Sequence, residues 1–144
     1  MVTTTDYPGS CYCGSIGFRY QTAAAPSDWS IRACQCRFCR AHSAYSASDP
    51  AGVLHFSAAN PADLQRFRFG LHTADFLLCR RCGVYVGAVI ETAAGRFGII
   101  NTHALDAVPD TMAAVAPIDY DGEDTAGRVS RREQRWTPVA SLPW

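Results

Sequence analysis

The sequence predicts a mainly β domain built from short antiparallel strands. Two observations carry this: runs of four to eight apolar or alternating residues recur between turn signals, and no long stretch keeps a helical apolar period. A third concerns the seven cysteines, which fall close to the ends of those runs in three clusters, Cys11 with Cys13, Cys34 with Cys36 and Cys39, and Cys79 with Cys82. The chain of 144 residues is the length of one domain, with 48% apolar and 18% charged residues, as a folded globule requires.

In order along the chain, "SIGFRY" sets Ile16, Phe18 and Tyr20 against Ser15, Gly17 and Arg19, a half-buried strand. "TAAAPSD" is a loop, and "WSIRA" a short strand leading into "CQCRFC". "ASDPAG" turns the chain before the strand "VLHF". After the turn "NPAD", Gln65, Phe67 and Phe69 alternate with Arg66 and Arg68, which predicts a strand with its aromatic residues inward. "DFLLC" runs as a strand into Cys79, "VYVGAVIE" as a strand out of Cys82, and "RFGII" and "MAAVAPIDY" supply further strands. "LDAVPDTM" has room for one helical turn, and residues 121–136, "DGEDTAGRVSRREQRW", read as a mobile arm or a short helix. Residues 1–120 are expected to form the metal-binding domain. Residues 121–144 are expected to be a polar extension of it or packed on it.

Thirteen arginines, no lysine and thirteen acidic residues leave a formal net charge of zero, which argues against a nucleic-acid partner. "MVTTTDYPGS" has neither a basic nor an apolar leader segment and no apolar run reaches membrane length, so a cytoplasmic location and no membrane partner are expected. In that reducing compartment an odd number of thiols points to metal rather than disulfides.

Residues i and i+2 of an extended segment face the same way, so Cys11 and Cys13, or Cys34 and Cys36, can direct two sulfurs at one ion. "CRRCG" is a zinc-knuckle turn, with Gly83 allowing the tight path after Cys82. The preferred partition joins Cys11, Cys13, Cys79 and Cys82 in a structural site and leaves Cys34, Cys36 and Cys39 around a second ion. A competing partition joins Cys34 and Cys36 to Cys79 and Cys82, and the sequence leaves it open. Three protein ligands and one exchangeable position are the pattern of catalytic zinc, unless His42, His55, His72 or His103 closes the site. Arg37, Arg40, Arg80 and Arg81 offset thiolate charge, and Arg37 or Arg40 could grip a carboxylate of a thiol-bearing ligand. Asn101 and Asp106 of "NTHALD" read as turn caps, Asp106 serving as an acid or base only if it approaches the second ion.

Taken together, "GSCYCGSIGFRY", "CQCRFCR", "FLLCRRCGVYVG" and "NTHALD" resemble the family of glutathione-dependent formaldehyde-activating enzymes, also called the centromere-protein-V-like domain. The resemblance covers residues 9–106. It implies a β-tent fold, a structural zinc on Cys11, Cys13, Cys79 and Cys82, and an active-site zinc on Cys34, Cys36 and Cys39. It also implies a carbon–sulfur lyase that forms or breaks S-hydroxymethylglutathione, with glutathione and formaldehyde as substrates. Tyr12, Gln35 and Arg37 stand where the family often has His, His and Ser. A non-catalytic zinc-binding interaction module of the same fold is the alternative reading, and redox handling by the three thiols a third. The sequence leaves homo-oligomerisation open.

Overall fold

The computed structural model describes residues 3–144 and is mainly β, as expected. Its strands are β1 (Thr5–Ser10), β2 (Ile16–Thr22), β3 (Ile31–Cys34), β4 (Ser46–Ala47), β5 (Val53–Ala58), β6 (Leu64–Phe67), β7 (Asp75–Cys79), β8 (Tyr85–Thr92), β9 (Gly95–Asn101), β10 (Val115–Ile118) and β11 (Thr137–Ser141). Two helices interrupt them, α1 (Arg37–Ala41) and α2 (Thr125–Arg135). The main path of the sheet runs β1-β2-β5-β11-β9-β4-β3-β10, and β8, β7 and β6 follow one another on the other side of β9.

The sheet is mixed rather than wholly antiparallel. β10 lies parallel to β3, and β11 parallel to β5. Residue alternation reports which face a side chain takes but not strand direction, and each parallel pair is joined by a long crossover that only the assembled fold reveals. Three strands escape the sequence patterns altogether, β4 because its two residues, Ser46 and Ala47, are too few to show alternation. β1 contains Pro8 and Gly9 and occupies an edge, where the missing N–H of proline is tolerated. β11 contains Pro138 and alternates weakly.

Strands β7, β8 and β9 are covered on both faces. Leu77, Val86, Val89 and Ile100 join the main core with Phe18, Tyr20, Leu54 and Phe56. Phe76, Tyr85, Ala88, Ile90 and Ile99 enter a second core with Cys39 and Trp136. Burial of both faces explains why these strands read as nearly continuous apolar runs. Val86 and Ala88 lie in different cores although a regular strand would put them on one face. The cause is an irregularity in the β7–β8 register, where Leu77 pairs with Gly87 but Leu78 with Tyr85. The extra residue turns Tyr85 towards the second core, beside α1.

Of the two aromatic residues expected to face inward, Phe69, just beyond β6, packs against the second core and Phe67 does not. Phe67 is 39% exposed, and with Phe69 it forms a stack over Phe38 of α1 instead of entering the main core. Arg66 and Arg68 are held by Asp75, with nitrogen–oxygen distances of 2.9 and 2.8 Å. These ion pairs fasten the segment that carries Phe67 and Phe69 to β7.

Two predictions follow from this packing. A Cβ at position 87 would overlap the carbonyl oxygen of Ile99 and crowd the ring of Phe56. Gly87→Ala should therefore lose about 1–3 kcal/mol in denaturant unfolding. Burial alone would raise the pKa of Asp75, but Arg68 and Arg66 overcome it and hold the carboxyl below its ordinary value. A depressed folded pKa gives stability that is present above the unfolded value, about 3.9, and is lost as pH falls through the folded one. The difference in stability between the protein and Asp75→Asn should accordingly shrink across that acidic window in unfolding curves taken at several pH values.

Candidate metal centres and the adjoining cavity

Cys11 follows β1 and opens a turn in which Gly14 N–H donates to the Cys11 carbonyl, at 3.1 Å, so that Cys13 folds back beside it. Cys79 ends β7, and the chain reverses through Cys82 and Gly83, whose φ of +81° is a conformation that glycine adopts without strain. Cys79 N–H donates to the Val84 carbonyl at 3.1 Å, and Gly83 N–H to the Cys79 carbonyl at 2.9 Å, which closes the knuckle. The sulfurs of Cys11, Cys13, Cys79 and Cys82 all lie within 4.8 Å of one another. The Cys11–Cys13 separation is 3.7 Å and the Cys13–Cys79 separation 3.6 Å. Tetrahedral zinc with bonds of about 2.3 Å to sulfur holds its ligands roughly 3.8 Å apart, so this donor set fits the ion. Backbone N–H groups of Ile16 and Arg81 point at the sulfurs of Cys11 and Cys79, at 3.4 and 3.3 Å. Burial pushes the Cys79 thiol up to about 11. For Cys82 burial acts the same way, but the backbone N–H groups of Val84 and Cys13 outweigh it and bring the thiol down to about 6.

The second cluster is local. β3 delivers Cys34, Cys36 caps α1, and Cys39 lies within that helix with its N–H directed at the Cys36 sulfur, at 3.4 Å. β10 braces this segment through Gln35 N–H to the Ile118 carbonyl, at 2.9 Å. The three sulfurs lie within 4.8 Å of one another, and no His, Asp or Glu of the described residues joins them. His42 packs on Phe38, His55 meets Ser141 and His103 meets the Ser43 carbonyl, while His72 occupies a left-handed turn. A hydrogen bond from Cys39 draws the Cys34 thiol down to about 6, and the same bond pushes Cys39 up. Two cysteine clusters, each able to hold a metal ion, are present.

The three-cysteine cluster lies between two cavities. The larger, of about 460 Å³, is walled by Cys34, Cys36 and Cys39 on one side and by Phe38, Phe69, Phe76 and Trp136. Residues of α2 also reach it. The smaller, of about 270 Å³, contains Cys34, Cys39, Arg40 and His103 in its lining. Arg37 lines the larger cavity and Arg40 the smaller, so the two arginines singled out from the sequence fall on different sides of the cluster. Arg40 is engaged with the Gln35 carbonyl at 3.0 Å. Arg80 donates to the Leu64 carbonyl at 3.3 Å.

Asn101 is 3% exposed and works as a structural hub. Its Oδ1 accepts from Tyr45 N–H and His103 N–H, both at 3.2 Å, and its Nδ2 donates to the Tyr85 carbonyl at 3.0 Å. Asp106 accepts from Ser10 Oγ of β1.

α2 starts at Asp124, whose Oδ1 accepts from Gly127 N–H at 2.7 Å. It carries Arg128, Arg131 and Arg132 to the larger cavity. Their spacing of three and four residues marks one helical face in the sequence, but as a cationic face it gives no apolar signal.

A family model described as glutathione-dependent formaldehyde-activating enzyme matches residues 6–120. The chain belongs to this family. A crystal structure of a Rhodobacter sphaeroides protein, a structural genomics target, is similar in fold, with a TM-score of 0.56 and 23% identity. That match covers 76% of this chain and 99% of the other. No protein of curated function matches the sequence. Within this member of the glutathione-dependent formaldehyde-activating family, α2 and β11 lie beyond the matched residues, yet α2 borders the cavity and β11 completes the sheet. No helix of the described residues is long and apolar enough to cross a membrane.

Replacing one sulfur of the four-cysteine cluster leaves three donors in a site that ties together distant turns. Cys79→Ser should lower the metal content by one ion per chain, measured by elemental analysis. The same substitution should lower Tm by about 10–20 °C, the shift that roughly 5 kcal/mol produces at this chain length.

Proposed function

We propose that the chain is a zinc-dependent carbon–sulfur lyase that forms or breaks an adduct between a low-molecular-weight thiol and a small aldehyde. The family name suggests glutathione and formaldehyde as the pair. One observation supports this reading above all: three thiols converge on the wall of a cavity with no further protein ligand among the described residues. A four-sulfur cluster away from that cavity suits a structural ion, whereas a three-sulfur cluster beside it suits an ion with an exchangeable position.

Bound zinc would supply a Lewis acid that keeps a thiol ionised at neutral pH. Cys34, Cys36 and Cys39 would hold it, Cys36 being fixed by its place at the start of α1 and Cys39 by burial in the second core. Phe38, Phe69, Phe76 and Trp136 form an apolar wall that limits water around the reactants. In the forward direction the thiol sulfur adds to the aldehyde carbon and the carbon–sulfur bond forms. The π pair of the carbonyl moves to its oxygen, which takes up the proton that the thiol has lost. Holding both reactants in one cavity makes the addition effectively unimolecular. The reverse reaction follows the same path, with the hydroxyl proton returning to sulfur.

The test combines zinc analysis with exchange NMR of ¹³C-formaldehyde and glutathione. Two zinc ions per chain and accelerated exchange are expected. Cys36→Ser should lose one ion and slow exchange by roughly a hundredfold or more, the scale of losing one electrostatic stabiliser in an active site. A two-zinc protein that leaves both this exchange and the exchange of other small thiols with formaldehyde unchanged would sink the reading.

A further inference from the structure

Arg132 is 8% exposed, and among the described residues it has no carboxylate partner. Its Nη1 donates to Thr73 Oγ1 at 2.7 Å and its guanidinium lies 4.7 Å from the centre of the Trp136 ring, but its buried Nε has no acceptor. Its two helical neighbours are served differently. Glu123 binds Arg128 at 3.2 Å and Arg131 at 2.7 Å, and Arg131 also stacks on Tyr120. Glu123 is thereby committed, leaving Arg132 the unmatched charge of the group.

Arg32 lines the same cavity and is likewise without an acidic partner, its donors going to Ser48 Oγ at 2.9 Å and the Ser30 carbonyl at 3.3 Å. Asp119 and Asp121 also border the cavity, but neither forms an ion pair with any of its five arginines. Burying a guanidinium without a counter-charge opposes folding, and an unused donor adds to the cost. Burial and the neighbouring Arg131 and Arg128 lower the pKa of Arg132 to about 10, which still leaves it charged at neutral pH. The cavity therefore holds unmatched positive charge together with the cysteine cluster.

We propose that Arg132, assisted by Arg32, forms a carboxylate-binding subsite, so that the molecule entering the three-cysteine site carries a carboxylate. A planar carboxylate entering the cavity supplies the missing charge, and a guanidinium fork offers it paired donors. Because α2 lies outside residues 6–120, the element that selects this anionic end is one that the family match does not include. The subsite stands on the arginines and the cavity alone, whereas the role of the entering molecule as a reactant rests on the thiol–aldehyde reading.

Calorimetric titration of the zinc-loaded protein distinguishes the two. Three probes are used: 3-mercaptopropionate, its methyl ester, and glyoxylate, which joins a carboxylate to an aldehyde without a thiol. The acid is expected to bind about tenfold or more tightly than the ester. Arg132→Gln should remove that difference while leaving the ester within about twofold of its original affinity, and Arg132→Lys, with charge but no fork, should fall between. Arg32→Gln, which leaves α2 intact, should weaken the acid in the same sense. Circular dichroism checks that each variant is folded. If only glyoxylate depends on Arg132, the subsite holds the aldehyde's carboxylate. If neither thiol binds but glyoxylate still loses about tenfold in Arg132→Gln, the thiol reading fails and the subsite stands. Equal binding of acid and ester, together with glyoxylate binding that is absent or indifferent to Arg132 and Arg32, overturns the proposal.

Discussion

Four sulfurs from two distant turns meet in one cluster, and much of the remaining geometry is arranged by that meeting. Cys13 and Cys79 stand 66 positions apart in the chain, yet their sulfurs are 3.6 Å from each other. The first pair follows β1 and the second ends β7, so the cluster pins the edge hairpin to the β7–β8 hairpin. β8 then sets the position of β9 through six paired residues, and β9 positions β4 and, beyond it, β3. The three-cysteine segment hangs from the end of β3. The meeting of these two turns at one end of the sheet is thus linked, through β8 and β9, to the place where the second cluster stands.

Around that second cluster the fold uses irregular features. The bulge at Val86 brings Tyr85 to the same core as Cys39, where its ring meets Phe38 edge-on at 5.3 Å. Its hydroxyl is buried without a hydrogen-bond partner among the described residues, and burial raises its pKa well above the usual tyrosine value, so it stays protonated. α2 is equally unusual, since its inward face is cationic rather than apolar. Docking of this helix depends on Glu123, on Thr73 and on the aromatic rings of Tyr120 and Trp136. Polar and π contacts take the part that leucines play in an ordinary surface helix.

How far the sequence reveals this depends on the kind of signal each element leaves. β2, β5, β7, β8 and β9 are legible because their side chains alternate or run apolar over the length of a strand. The cysteine pairs are legible because thiols at short spacing have few other uses in a chain of this composition. β1 and β11 are hidden by proline and weak alternation, and each is recognised only through its partners. Phe67 and Phe69 alternate as an inward strand would, but Phe69 joins Phe38 in the cavity wall and Phe67 stacks beside them, half exposed, neither entering the main core. The arginines of α2 are spaced as a helical face, yet periodicity of charge ordinarily marks a solvated surface. Only the fold shows that this face is enclosed. The same holds for Arg37 and Arg40, three residues apart in sequence and placed on opposite sides of the cluster.

β11 connects the two halves of the sheet, with β5 on one side and β9 on the other. As the chain leaves the ribosome, both neighbours are made long before residues 137–141 appear. Until then β5 and β9 present unpaired edges, and β1, β2 and β5 have no strand joining them to the rest. The central seam of the sheet is thus its last piece to be synthesised. Before β11 is in place the sheet stands in two unfinished parts, and the edges that β11 will cover are open to pairing with another chain.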